Sequence, residues 1–323
     1  MQNPELPLVS IITPAYNQGI FLRDTIESVL SQDYPNIELL VLNDGSTDET
    51  ENILKEYKGR IRWETQSNMG QTPTINKGWR MTKGEIITWL NSDDTFLPGG
   101  VRKGIEYLMA HPETSIVFAD SLFTSADGTP LELSKPQPPF DYNNFVTICE
   151  NPVPQPSSFI RREVVQKAGE LDTAFYYFMD WDFWLRAGLY VKIDYVKDVW
   201  STYRLHAESK TVSQSLKLAP ELEYMYRKFF SRQDLPPGIR KLKKKAMMNM
   251  YFTTGGYYIQ GLDRKNASKM ARAAFKQNPA GIFSFTNLYK FLYCRFGLST
   301  WGKQLRKLKA SKKQAGPGLP SGK

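Results

Sequence analysis

The first third of the chain alternates short apolar runs with stretches of helical period, and few architectures accommodate that order. "LVSIITPAY" reads as a strand ending near Thr13 and Pro14, and "FLRDTIESVLSQ" then puts Phe21, Leu22, Ile26, Val29 and Leu30 on one helical stripe. "IELLVLND" is the next strand, and "GSTDETENILKEY" follows with Ser46 or Thr47 ahead of acidic residues, a capping-box spacing before Ile53 and Leu54. "IRWETQ" reads as a third strand, "TPTINKGWRMT" as a helix and "EIITWLN" as a fourth strand. Strands separated by helices of this length form right-handed βαβ units and a doubly wound, mainly parallel α/β sheet. Such sheets bind ligands in the crevice at the carboxyl ends of their strands.

The stretch "ITWLNSDDTF" falls at such an end. An apolar run stops abruptly in Asn91, Ser92, Asp93 and Asp94, and the chain turns through Pro98, Gly99 and Gly100. Two adjacent carboxylates repel unless a cation or hydrogen-bond donors compensate them. The competing reading is a solvated turn, since Asp and Asn favour turns.

Beyond residue 115 the pattern loosens. "SIVFAD" is another strand, "PLELSKPQPPFDYNNF" reads as a long surface loop, and "VKIDYVKDVWSTYRLH" resembles paired strands. "SFIRREVVQKAG" and "MDWDFWLRAGLYV" each feed a helix, and after about residue 212 only helical patterns remain. We therefore divide the chain into an α/β unit over 1–212, in two parts, 1–100 and 101–212. A helical extension over 213–310 and a disordered tail over 311–323 follow.

Composition narrows the setting. Hydrophobic residues make up 41% and charged residues 23% of the 323, as in ordinary globular proteins. No run is long enough to span a membrane, and the N-terminus lacks the basic start and apolar core of a secretory signal. Cys149 and Cys294 are far apart without metal-ligand spacing, which fits free thiols in the cytoplasm. The net charge of +9 is uneven: "WGKQLRKLKASKK" holds six Lys or Arg and no acid. Nucleic acid is the weaker partner for it, because no RNA-binding signature or zinc-ligand set accompanies the charge. Aromatics interleaved with cations from Phe283 to Lys313, among them Phe285, Tyr289, Phe291 and Trp301, suit peripheral contact with the inner face of the cell membrane; a solvated helix face, and packing of these aromatics against the rest of the protein, are the alternatives.

Five segments occur in order over the first 206 residues: "SIITPAYNQGIFLRDTIESVLSQDYPNIELLVLNDGSTDET", "NMGQTPTINKGW", "GEIITWLNSDD", "MDWDFWLRAG" and "YRLH". Together they resemble the family 2 glycosyltransferases, enzymes of the GT-A fold that use nucleotide-sugar donors. The resemblance implies that Thr13, Pro14, Ala15, Tyr16 and Asp44 lie at the nucleobase, where an ionised carboxylate accepts from the ring N–H of uracil, thymine or guanine. Packing for Tyr16 and helix capping for Asp44 are the structural alternatives. Asn68 and Gly70 fall where family members contact the donor, although both also suit a turn.

"NSDD" resembles the family's Asp-x-Asp element. Asp93 is the expected ligand of Mg²⁺ or Mn²⁺, Asp94 a second or supporting ligand, and Asn91 and Ser92 donor contacts. Asn91 replaces the usual first Asp and brings no charge. Met179 stands where the family has Glu, so Asp180 is the expected base, with Trp181 beside it to stack on an acceptor sugar. Asp182 is read as an N-cap or an ion-pair partner of Arg186. In "YRLH", His206 is expected to approach the metal or diphosphate, with Arg204 nearby.

The activity these expectations describe is metal-dependent, inverting transfer of a sugar, from a UDP or dTDP donor, to a glycan or lipid-linked acceptor in cell-surface polysaccharide assembly. A retaining transferase would need a dedicated nucleophile that is not evident. A nucleotide-sugar-binding protein without catalysis is the other class, made conceivable by Asn91 and Met179. The sequence is silent on oligomeric state.

Overall fold

Val9–Ala15 (β1) is buried at every position, as a strand covered on both faces must be. It pairs in parallel with Ile37–Asn43 (β2) on one side and Ile86–Trp89 (β4) on the other. Arg62–Thr65 (β3) extends the sheet beyond β2, again in parallel. Between the strands run Gly19–Leu30 (α1), Thr50–Glu56 (α2) and Gln71–Met81 (α3). The βαβ reading of this region is thus observed in the computed structural model, which describes residues 6–134, 139–206 and 215–296. The last β4 partner of β1 lies opposite Ile12, so Pro14, which has no N–H to give, sits past that ladder.

The sheet continues with strands of mixed direction. After Thr95–Phe96 (β5) and Gly100–Ala110 (α4) come Thr114–Thr124 (β6), Pro130–Leu133 (β7), Tyr142–Ile148 (α5), Ser158–Arg161 (β8), Glu163–Ala168 (α6), Met179–Ala187 (α7) and Lys192–Arg204 (β9). The order is β3-β2-β1-β4-β8-β6-β9-β5, with β7 paired to β6. β8 runs antiparallel to both β4 and β6, whereas β6 and β9 are parallel.

Two expectations are corrected here. The segment read as a long loop begins with β7 and ends in α5, where Asp141 caps the helix by accepting from Asn144 N–H; its residues 135–138 lie outside the described set. The region read as paired strands is the single strand β9. Ala119 pairs with Val196 and Asp120 with Val199, so Lys197 and Asp198 bulge out and imitate a turn.

Aromatic clusters hold the layers beside the sheet. Trp89 stacks on Trp184 at 5.9 Å between ring centroids, Trp79 meets Trp89 edge-on at 5.7 Å, and Trp79 touches Phe183 at 5.6 Å. These contacts tie α3, β4 and α7 together, each pair adding about 0.5–1.5 kcal/mol beyond the area it buries. Helix α3 also comes close to the sheet. A Cβ on Gly78 would meet Ile12 Cγ2 at 2.5 Å, closer than side chains pack.

The described residues form two compact units, one within 6–206 with 227–240, the other within 215–226 with 241–296. The segment 227–240, assigned from sequence to the helical extension, falls in the first unit. Helices Ser215–Ser231 (α8) and Pro237–Gln260 (α9) each contribute to both units. In the second unit, α9 approaches Arg264–Gln277 (α10) and Phe285–Phe296 (α11) at Gly255. A Cβ there would meet Cys294 Sγ at 2.7 Å.

Candidate functional site

The chain leaves β1 for β2 and β3 on one side and returns for β4 on the other, so β1 and β4 flank the point where strand order reverses. A cleft of about 590 Å³ opens there, within the range of small-molecule sites. Pro14–Gln18 at and beyond the end of β1, Asp44 after β2, Asn91, Asp93 and Asp94 after β4, Tyr176 and Tyr177 ahead of α7, and Met179 and Asp180 in its first turn all line it. Its described lining carries four carboxylates, Asp44, Asp93, Asp94 and Asp180, and no Lys or Arg. A nucleoside diphosphate brought into such a cleft meets like charge, and a divalent cation is the economical remedy.

Asp93 is the carboxylate best presented to a cation. Its Oδ2 accepts from Gln18 Nε2 at 3.1 Å and lies 3.0 Å from His206 Nε2. Ser92 Oγ donates to Gln18 Oε1, which turns the amide N–H₂ toward Asp93. The His206 ring also packs against Phe21 at 4.9 Å. No cluster of three or more His, Cys, Asp or Glu suited to a metal occurs among the described residues. The Asp93 carboxylate in the lining still fits Mg²⁺ or Mn²⁺, because such ions take most of their ligands from substrate phosphates and water; His206, with its side chain 6% exposed and outside the lining, would have to turn toward the ion to join it.

Asp94 is turned inward. Its Oδ1 accepts from Arg204 N–H at 3.0 Å and its Oδ2 from Asn91 Nδ2 at 3.1 Å, while Thr25 Oγ1 donates to its carbonyl. Burial, and then the charge of Asp93, push its carboxyl well above the usual carboxylate range. These contacts suit support of the turn rather than direct ligation. Asn91 is likewise tied to protein partners, accepting from Gln71 Nε2 at 2.7 Å and donating to Gln155 Oε1 at 3.3 Å.

Asp44 shapes the opposite wall. Its Oδ1 accepts from Gln66 Nε2 and Met69 N–H, and its Oδ2 from Gly70 N–H at 2.9 Å. It caps no helix, since the residue preceding α2 is Glu49. Instead it gathers the Asn68–Gly70 turn, where Asn68 Oδ1 accepts from Gly70 N–H at 3.1 Å. Gly45 makes this possible: its φ is +77°, and a Cβ would meet Asn68 N at 2.8 Å. Gly45→Ala should therefore push the turn outward and weaken nucleotide binding about tenfold with little loss of secondary structure, roughly the cost of one misplaced contact. Titration of the variant with UDP, followed by intrinsic fluorescence, checks this.

Asp180 stands in the first turn of α7, where negative charge faces unpaired backbone N–H groups. Its Oδ2 accepts from Asn151 Nδ2 at 3.0 Å, and its Oδ1 from Trp181 N–H at 2.8 Å. The neighbouring Asp182 is buried against Arg186, whose Nε donates to it at 2.7 Å, so the ion-pair reading of Asp182 is observed. Burial raises its carboxyl above the usual range against the pull of Arg186.

Several expected contacts are not made. Trp181 is 4% exposed, absent from the cleft lining and packed on Phe178, because the helix begins at Met179 and turns position 181 into the core. The aromatics in the lining are Tyr16, Trp89, Tyr176, Tyr177 and Tyr203. Thr13 and Ser92 are also buried and outside the lining, Thr13 within β1 and Ser92 beneath Gln18. Arg204 is committed elsewhere: Nε donates to Asp93 O, Nη1 to Ala126 O and Nη2 to Asp24 Oδ2, and its guanidinium lies 4.8 Å over Phe21. It braces the Asp93–Asp94 turn from behind. Gln18, Gln71 and Gln155, which sequence reasoning did not single out, line the cleft and hold its carboxylates and amides in place.

Residues 10–169 match the family model described as Glycosyl transferase family 2. An uncharacterized glycosyltransferase of Rickettsia prowazekii is 28% identical over 312 residues, 93% of this chain and 95% of that protein. TuaG of Bacillus subtilis, a glycosyltransferase whose name assigns it to teichuronic acid biosynthesis, is 36% identical over 39% of this chain and 51% of its own length. Among solved structures, Staphylococcus aureus TarS 1–349 in complex with UDP-GlcNAc aligns over 89% of this chain and 90% of its own, with a TM-score of 0.65 at 14% identity. The mannosyltransferase PcManGT of Pyrobaculum calidifontis, in complex with GDP-Man and Mn²⁺, aligns over 93% and 89% with a TM-score of 0.58 at 15% identity. At these identities the two structures establish the shared GT-A fold.

Proposed function

We propose that the protein, whose residues 10–169 match the glycosyl transferase family 2 model, moves a sugar from a nucleotide-sugar donor to an acceptor hydroxyl with inversion, in the assembly of a cell-surface polysaccharide or glycan. The observation that carries this reading is the cleft at the strand-order reversal, lined by Asp44, Asp93 and Asp180. The nucleotide sugars held by TarS and PcManGT and the name of TuaG support it.

The nucleobase would lie against Tyr16 and the Asp44-held turn. Asp93 and His206 would hold Mg²⁺ or Mn²⁺, which when bound neutralises diphosphate charge. Asp180 would take the proton from the acceptor hydroxyl as its oxygen bonds to the anomeric carbon and the bond to the diphosphate oxygen breaks on the opposite face. Asn151, through its bond to Asp180, would keep that carboxylate turned to the cleft. Tyr176, half exposed beside Tyr177, offers an apolar ring face to the acceptor sugar.

Melting the protein with a panel of nucleotide sugars, with and without Mn²⁺, tests the reading, because a ligand of the folded state raises its apparent stability. A UDP- or dTDP-sugar should raise Tm by several degrees only with the metal; at about 100 times Kd the stabilisation is about 2.7 kcal/mol. No shift with any nucleotide sugar in either condition would refute it.

A further inference from the structure

Charge is segregated along this chain. Residues 264–323 contain fourteen Lys and Arg and no Asp or Glu, while the preceding 263 residues contain 28 Lys and Arg against 33 Asp and Glu. The last acid is Asp263, which caps α10 by accepting from Asn266 N–H at 3.0 Å. The basic run 301–313 and Trp301, singled out in the sequence, lie outside the described residues, as do the side chains of Phe283 and Phe285. The described part of this stretch is the pair α10 and α11.

These two helices run antiparallel. Phe275 meets Phe291 at 6.4 Å, and seven residues earlier on α10 Ser268 Oγ accepts from Arg295 Nη1 at 2.8 Å. Lys265, Lys269, Arg272 and Lys276 follow one another at helical spacing and are all exposed, whereas Ala267, Met270, Ala271 and Ala274 are buried on the other side. The same two helices also expose large apolar side chains. Phe275 is 45% exposed, Leu288 42% and Phe296 58%, and the Arg295 guanidinium lies 5.3 Å over the Phe296 ring. One exposed apolar residue means little, but three between cations on adjoining helices, with no acid in sixty residues, form a patterned surface.

We propose that the α10–α11 pair docks the protein on an anionic bilayer. Its cations would meet headgroup phosphates, and Phe275, Leu288 and Phe296 would enter the acyl boundary, the division of labour of an interfacial amphipathic helix. Charge complementarity selects this occupant: the net-acidic remainder of the chain is repelled by the same membrane. Leu288 offers nothing to a nucleic-acid base or phosphate, so the mixture favours lipid over nucleic acid. The inference is independent of the sugar-transfer reading and survives if that reading fails.

Co-sedimentation of the full-length protein with vesicles tests it, using phosphatidylcholine alone and phosphatidylcholine mixed equally with phosphatidylglycerol. Partitioning onto the anionic vesicles should be at least about tenfold stronger. Replacing Lys265, Lys269, Arg272 and Lys276 with Gln should cost at least about tenfold of that binding. Leu288→Ser with Phe296→Ser should spare low-salt binding but remove the fraction that persists in about 1 M salt, where the screening length falls to about 3 Å. If the fourfold variant melts early by circular dichroism, the exposed pair Lys265→Gln and Lys269→Gln carries the test with a severalfold loss. Equal binding to both vesicles, wild-type binding by the charge-neutralised variants, an undiminished salt-resistant fraction in Leu288→Ser with Phe296→Ser, or a loss produced only by neutralising residues 303–313 overturns the proposal. Displacement from anionic vesicles by a stoichiometric oligonucleotide also overturns it and assigns the surface to nucleic acid.

Discussion

Asp180→Asn is expected to bind the donor as the wild type does and to lose sugar transfer by roughly 10² to 10⁴, the usual contribution of a positioned base. The substitution is close to isosteric. The Asn oxygen can still accept from Trp181 N–H, and the contact with Asn151 becomes amide to amide. What disappears is basicity at the one cleft carboxylate that projects from α7. Asp182, two positions on, does not replace it, because its Oδ2 is paired with Arg186 inside the protein. Initial rates over a range of acceptor concentrations, alongside donor Kd by calorimetry, separate binding from chemistry. Asn151→Ala should follow in milder form, with kcat down by about tenfold and donor Kd unchanged, since only the orientation of Asp180 is loosened. Turnover of Asp180→Asn near that of wild type would move the base elsewhere.

What could be read from the sequence divides along physical lines. Asp44, Asp93 and Asp180 stand out because a carboxylate at a strand end or helix start breaks an apolar pattern, and all three come to one cleft. The amides Gln18 and Gln155 carry no such mark. Their bonds reach across 75 residues to Asp93 and 64 residues to Asn91, so only the folded chain brings them together. Trp181 misled because residue type suggested a sugar platform while its direction depends on where α7 begins; a helix starting at Met179 points it inward. Arg204 misled in a related way. A cation near a diphosphate site looks like a phosphate ligand, but tertiary contacts with Asp24, Ala126 and Asp93 claim all of its bonding faces first. For strands the limit was length and regularity: β5 has two residues and too little period to notice, and the Lys197–Asp198 bulge cuts the pattern of β9.

Asp93→Ala should abolish the Mn²⁺ dependence of UDP binding, with affinity in the presence of the metal falling by at least about 100-fold, while the protein stays folded. The turn does not rely on this carboxylate. Arg204 Nε holds the Asp93 carbonyl, Arg204 N–H holds Asp94 Oδ1, and Thr25 Oγ1 holds the Asp94 carbonyl, and all three survive the substitution. The groups released are Gln18 Nε2, which lines the cleft and can turn to water, and His206 Nε2, whose side chain is only 6% exposed and loses this contact. Loss of the neighbouring charge makes ionisation of the buried Asp94 less unfavourable, which offsets part of the lost contacts, so the melting temperature without ligand should change little. Direct metal binding supplies a readout free of catalysis: Mn²⁺ relaxation enhancement in the presence of UDP should be present in wild type and in Asp180→Asn, and lost in Asp93→Ala. Asp94→Asn supplies the contrast, since a residue that braces the turn should cost stability more than metal affinity. If Asp93→Ala kept a Mn²⁺-dependent UDP affinity within a few fold of wild type, the cation would have to sit on other ligands, and the pairing of Asp93 with His206 would be no more than a contact that orients the turn.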